Sequence, residues 1–292
     1  MGMRLLRGCF LSTLALSLAG CTHIRRVDRT VKAPHVLDAT LQQLNTQLAE
    51  QYTSIQSFNA SVDITATTGG KHEGEVKESS AFPGYILMRK PSDLRTLMMV
   101  PLARSLALDM VSDGKNFKLV IPPRSIAREG ADGVAVNSKP GLESLRPNII
   151  RESILVPAMQ ADELVNLTEN ARILPPAAGK KESIEEPDYD LTISRVKTGH
   201  ELETVRVIHI GRVTLKPYEQ DIYDHAGRLV TVVTYDKYQK FGEIWFPTSI
   251  LITRPIDEYT LKIDIMKMTM NPKLDDDQFQ LKFPDNISIQ KM

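Results

Sequence analysis

Cysteine and tryptophan are scarce in this sequence, and neither sign of charge is in excess. Its 292 residues include two Cys, one Trp, and 36 basic against 36 acidic side chains. Both cysteines, Cys9 and Cys21, lie near the start. No disulfide can therefore pin the body of the chain, and a hydrophobic core must hold it. Balanced charge offers no basic field for a nucleic acid. The longest apolar run, Cys9–Ala19, falls short of the about 20 residues a membrane helix needs. The six histidines are His23, His35, His72, His200, His209 and His225. None shares a short metal-ligand spacing with another His or Cys. No Gly-x-Ser-x-Gly elbow or phosphate loop occurs. Asp275–Asp277 lack the Gly-centred loop of a cation site and read as a solvated turn, and His209, in "VIHIG", reads as a hydrogen-bonded strand residue. The expectation is a protein that is no enzyme and that uses neither metal nor cofactor. What is present is ordinary for a globular chain, 42% hydrophobic and 25% charged.

The first twenty residues read as an export signal. Arg4 and Arg7 precede the apolar run, and small residues follow it. Leu18-Ala19-Gly20-Cys21 resembles the lipobox of bacterial lipoproteins. That resemblance implies cleavage before Cys21 and acylation of its thiol and its new amino group; the plainer alternative is an ordinary signal with a chance cysteine. A single acyl chain anchors marginally and a second signal makes attachment stable, so a fully acylated Cys21 would hold the chain on a membrane. Residues 21–35 form the tether. Its Arg25, Arg26, Arg29 and Lys32 are either solvated or set against anionic headgroups. In enterobacterial-type sorting an Asp after the cysteine retains lipoproteins at the inner membrane. Thr22 in that place implies the outer membrane, on its periplasmic face.

Residues 36–292 read as one domain. Leu37, Leu41, Leu44, Leu48, Tyr52 and Ile55 recur at helical spacing. Then the period drops to two: Phe58, Ala60, Val62 and Ile64 alternate with polar residues, as in a half-buried strand. After a turn at Thr67–Gly70, strands are predicted over Tyr85–Arg89, Leu94–Val100, Leu106–Val111 and Phe117–Ile121. Asp113-Gly114 makes the last two a hairpin. Pro147 opens a second helix with Ile149, Ile150, Ile154 and Leu155 on its apolar side, and Ala161–Asn170 reads as another short one. Leu174–Asp188 reads as an exposed loop. Strands resume over Tyr189–Val196, Thr204–Ile210, Leu229–Tyr235, Ile244–Thr253 and Tyr259–Met270. In the last, Leu261, Ile263 and Ile265 give way to Met266, Met268 and Met270 of opposite parity, which requires a β-bulge near Ile265 or faces apolar at different ends. With about ten strands and no βαβ alternation, the expected class is α+β: one curved antiparallel sheet, a half-barrel, with helices covering its concave face.

Methionine is flexible and suits a surface that takes apolar chains of varying shape. Met88, Met98, Met110, Met266, Met268 and Met270, all in strand segments, are therefore candidates to line a cavity. The plainer reading makes them core filling.

The order of elements resembles that of the LolA/LolB-like lipoprotein carriers, and short motifs support it. "LMRKPSDLR" (Leu87–Arg95), "MVSDGKNFKLVIPP" (Met110–Pro123) and "TMNPKLDDDQFQLKFPD" (Thr269–Asp285) are similar to the family's strand connection, hairpin and closing segment. "MVPLARSLALD" (Met99–Asp109) most resembles the membrane-anchored acceptor, whose Pro-Leu tip carries an exposed leucine; Pro101 and Leu102 match it. The resemblance implies binding of acyl chains in an apolar cavity and assistance in placing lipoproteins or lipids. The implied partners are the membrane, lipoprotein acyl chains or lipids, and a periplasmic carrier as donor. Relatives of this fold include glycolipid carriers and an envelope-stress sensor, so interaction or sensing without lipid transfer is the alternative.

Overall fold

The computed structural model describes residues 29–133, 145–176, 178–284 and 287–291. The export segment and Cys21, Arg25 and Arg26 of the tether lie outside these residues.

Thr40 starts the first helix. Its hydroxyl accepts the Gln43 backbone N–H, and Gln43 Oε1 accepts the Thr40 N–H at 2.8 Å, so two otherwise orphaned donors are satisfied reciprocally. Helix α1 spans Leu41–Ser54. Leu44 and Leu48 are buried, as is Ile55 just past its end, whereas Leu37 precedes the helix and is exposed. The C-terminal end is clamped by the distant Asn271, whose Nδ2 donates to Ser54 O at 2.8 Å and whose Oδ1 accepts the Gln56 N–H at 2.7 Å. Lys90 Nζ donates to Tyr52 O, giving another terminal carbonyl a partner. Burial lowers the Lys90 pKa to about 8.

Sixteen strands form one sheet, against the about ten expected from periodicity. They are β1 (Thr30–Lys32), β2 (Ser57–Gly70), β3 (Glu75–Glu78), β4 (Phe82–Arg89), β5 (Asp93–Met99), β6 (Leu106–Ser112), β7 (Asn116–Ile121), β8 (Ile126–Ala131), β9 (Glu163–Leu174), β10 (Ser183–Thr198), β11 (Glu201–Gly211), β12 (Lys216–Tyr223), β13 (Leu229–Phe241), β14 (Ile244–Arg254), β15 (Tyr259–Met270) and β16 (Ile289–Lys291). From β10 the order runs through β11, β12, β13, β14, β15, β2, β4, β5, β6, β7 and β8 to β16; β3 pairs with β2 and β9 with β10. The sheet is mostly antiparallel, with parallel pairs at β1–β10 and β8–β16. Helix α2 (Pro147–Ile154) starts on its proline, as predicted.

Three expectations need correction. β2 continues to Gly70, so the turn falls at residues 71–74, beyond the predicted Thr67–Gly70. Ala161–Asn170 is no helix: Glu163–Leu174 is strand β9, and Val165 and Leu167, two apart, pack on a core cluster. The Leu174–Asp188 loop ends early. β10 begins at Ser183, and Glu186 and Asp188 are buried. The bulge near Ile265 is present: Ile265 faces Val62 and Lys267 faces Ser61, so Met266 is the extra residue. At Asp113-Gly114, Asp113 Oδ1 accepts the N–H groups of Lys115 and Asn116. Gly114 sits at φ +85°, where a Cβ would press on Ser92.

The chain separates into two compact units. The larger comprises Ala33–Arg172 and Glu186–Met292. Its main core joins β2, β4–β7 and β13–β15 to Ile150 and Ile154 of α2. A second cluster packs Leu44 and Leu48 of α1 on Tyr189, Leu191, Ile193, Ile208 and Ile210 of β10 and β11. The described residues of the smaller unit are 29–32, 173–176 and 178–185. Within it β1 pairs with Ser183–Glu185, and Arg29 reaches Glu182 at 3.4 Å.

Candidate functional site

The apolar core that α2 packs on is densely filled. Met88, Met98, Met110 and Met268 are buried in the main core, and Met270 is half-buried against it. Met266, displaced by the bulge, is 66% exposed. The hollow beside α1 and α2 has a volume of about 20 Å³ and is lined by Leu48, Leu155, Tyr235, Tyr238, Phe246 and Pro247 among others. It has room for a single water, and none of the six methionines lines it. A larger open groove, about 740 Å³, lies along β6–β8 and the C-terminal segment, lined by residues including Val111, Lys118, Glu129, Leu281 and Lys282.

The β5–β6 connection presents a different surface. Strand pairing closes at Val100, whose N–H donates to Ser105 O and whose carbonyl accepts the Arg104 N–H. Four residues are left to turn the chain. Ala103 N–H donates to Pro101 O at 2.8 Å, with Leu102 between them at φ +64°. This is the rare, strained three-residue turn. Leu102 is 100% exposed, and Arg104 beside it is exposed and also at positive φ. A leucine here gains nothing from the fold. Leu102→Gly, which removes the Cβ that disfavours left-handed backbone, should therefore leave stability unchanged or raise it by up to about 1 kcal/mol. Urea unfolding measures this; a loss above about 1 kcal/mol would mean the side chain packs.

A polar cluster occupies β10–β12, on the face away from Leu191, Ile208 and Ile210. Pairing sets Asp190 opposite His209 and His209 opposite Glu219. Asp221, two residues along, shares the Glu219 face. His209 Nδ1 lies 2.6 Å from Asp190 Oδ1, and Nε2 lies 3.7 Å from Asp221 Oδ2. Burial lowers the His209 pKa, but the nearby carboxylates of Asp221 and Asp190, the latter hydrogen-bonded to Nδ1, outweigh it and bring the value to about 9. Burial raises the carboxyl pKa of Asp188 and of Glu219. The Tyr218 hydroxyl donates to Asp188, and the Arg172 guanidinium lies 3.6 Å from the Tyr218 ring centroid while pairing with Glu186 at 2.7 Å. Sequence spacing does not reveal this cluster, because its members come from three strands. The one local trace is Glu219 and Asp221 two apart on a strand.

No family model matches the sequence, and no curated protein resembles it in sequence. Solved structures do resemble its fold. A DUF1329 family protein from Desulfovibrio piger superposes with a TM-score of 0.53 at 18% identity, over 81% of this chain and 94% of that one. A LolA superfamily protein from Nitrosomonas europaea gives 0.50 at 14% identity, over 81% and 97% respectively. The chain carries a LolA-like fold.

Proposed function

We propose that this chain is an envelope lipoprotein, held on the periplasmic face of the outer membrane by acylated Cys21. In this reading residues 1–20 are removed, 21–35 are the tether, and 36–292 bind acyl chains between the sheet and helices α1 and α2, assisting lipoprotein or lipid transfer. The observation that carries the reading is the Leu102 tip. A fully exposed leucine on strained backbone is unfavourable in water, where apolar area costs about 25 cal/mol per Å², and Arg104 beside it suits an anionic surface. A bilayer interface buries the one and pairs the other. The LolA-like fold supports the same reading. The small hollow marks where an acyl chain would enter, but only once α1 or α2 moves. The Asn271 and Lys90 contacts at the C-terminal end of α1 make that end its natural pivot.

The filled interior favours a second reading, an anchored domain that interacts or senses without lipid transfer. Two measurements separate them. Protein made without residues 1–21 is extracted and its lipids identified by mass spectrometry, then titrated with a fluorescent acylated peptide. The first reading expects bound lipid or saturable peptide binding; neither leaves only the second. Leu102→Glu should leave peptide binding intact while weakening association with anionic vesicles. Losing burial of one leucine, about 1.5–3 kcal/mol, corresponds to roughly 10–200-fold. Unchanged vesicle binding would remove Leu102 from the membrane contact.

A further inference from the structure

We propose that His209, Glu219 and Asp221 form a binding site for a divalent first-row transition cation of the Zn²⁺ or Mn²⁺ class, with Asp190 as its positioning residue. Cross-strand register assembles the set, and the three side chains each offer a ligand atom, all within 4.8 Å of one another. Asp190 engages Nδ1 at 2.6 Å. That contact holds one ring proton on Nδ1, so an incoming ion would displace the Nε2 proton alone and complete the carboxylate–histidine–metal arrangement. Nε2 is buried and has no hydrogen-bond partner. Asp221 Oδ2 stands 3.7 Å from it. This is too long for a hydrogen bond, yet close to the about 3.4 Å between two ligands on one tetrahedral ion with bonds near 2.1 Å.

Charge points the same way. Asp188, Asp190, Glu219 and Asp221 surround one imidazole, while Arg172, the guanidinium on this face, is engaged by Glu186. Asp188 is 2% exposed, and its Oδ1 has no hydrogen-bond partner. Negative charge is in excess there, and a divalent ion would offset it. One imidazole with two carboxylates selects against Ca²⁺ and Mg²⁺, which prefer oxygen ligands alone. Three protein ligands leave a fourth position for water. His209 and Asp221 side chains are 18% and 19% exposed, so the cluster lies close to the surface.

The rival state is a metal-free imidazolium shared between Asp190 and Asp221. Calorimetric titration of the untagged, chelator-treated whole chain in detergent with ZnCl₂, MnCl₂ and CaCl₂ distinguishes the two. The expected result is one Zn²⁺ or Mn²⁺ per chain and no comparable Ca²⁺ binding. His209→Gln and Asp221→Asn, checked for folding by circular dichroism, should abolish it. Asp190→Asn should weaken it by about 10–100-fold. Imidazole ¹⁵N resonances report the mechanism: a neutral Nδ1–H tautomer with a shifted Nε2 on metal addition, and a lost tautomer preference in Asp190→Asn. Absence of stoichiometric binding, binding that survives both ligand variants, or an imidazolium spectrum unchanged by metal would each overturn the proposal.

Discussion

Glu163→Ala should destabilise the fold by about 3–5 kcal/mol, the cost of breaking a buried ion pair by removing one partner. Glu163 is 5% exposed overall, with its carboxylate fully enclosed. It accepts from Arg195 Nη2 at 3.0 Å and from Arg206 Nη2 at 2.8 Å. Arg195 keeps a second partner, Asp162 at 3.0 Å. Among the described residues Arg206 has none of comparable closeness; the residue is 7% exposed, and burial already disfavours its charge. Alanine at position 163 would therefore strand a cation in the interior. Thermal unfolding should fall by on the order of 10 °C in a domain of this size. Glu163→Leu together with Arg206→Met should recover most of the loss, because replacing a buried pair by apolar groups is often neutral. A single variant within about 1 kcal/mol of the parent would mean that water reaches Arg206.

Phe246→Ala should cost a similar amount, about 3–5 kcal/mol, and its value reads out whether α1 holds its place. Phe246 is 1% exposed and its ring centroid lies 6.1 Å from that of Phe58. It also borders the small hollow beside Leu48. If α1 stays in place, the lost ring leaves an apolar cavity. Cavities of about 150 Å³ lined by such residues stay dry and bind benzene, so benzene should raise the melting temperature of the variant and not of the parent. If α1 settles inward instead, the cost should drop and benzene should have no effect, since the penalty depends on how far the site collapses. Mobility of that kind is what the proposed acyl binding requires. Urea unfolding with and without benzene decides between them.

Legibility in the sequence followed burial. β2, β5, β13 and β15 were readable because buried residues recur with period two along much of each, and β4, β6, β7 and β14 because they are short apolar runs between turns; the bulge showed as a parity change at Ile265 to Met268. β3 is exposed along its whole length, so its alternation encodes nothing; pairing with β2 alone makes it a strand. β9 is similar, with a long exposed stretch between Leu167 and Ile173. β12 carries Pro217 and four polar or charged residues, and its bulge at Tyr218 breaks what pattern remains. Among site residues, Pro101 and Leu102 entered only through the family resemblance, and the left-handed backbone at Leu102 left no trace in the sequence. The His209 cluster depends on the register of β10, β11 and β12, which no spacing along one chain expresses.

The pairing of β2 with β15 sets the terms on which the chain can fold. Phe58 lies opposite Met270, and Tyr259 opposite Thr68, so the seam in the middle of the strand order joins the early and late parts of the sequence. Hairpins such as β4–β5 and β6–β7 close locally and can form as they emerge. The seam cannot form until almost everything has been delivered, and closing so long a loop is entropically slow. A nascent or truncated chain therefore carries two half-sheets with open edges, each a template for wrong pairing. Such a protein would depend on escort until its last strands arrive.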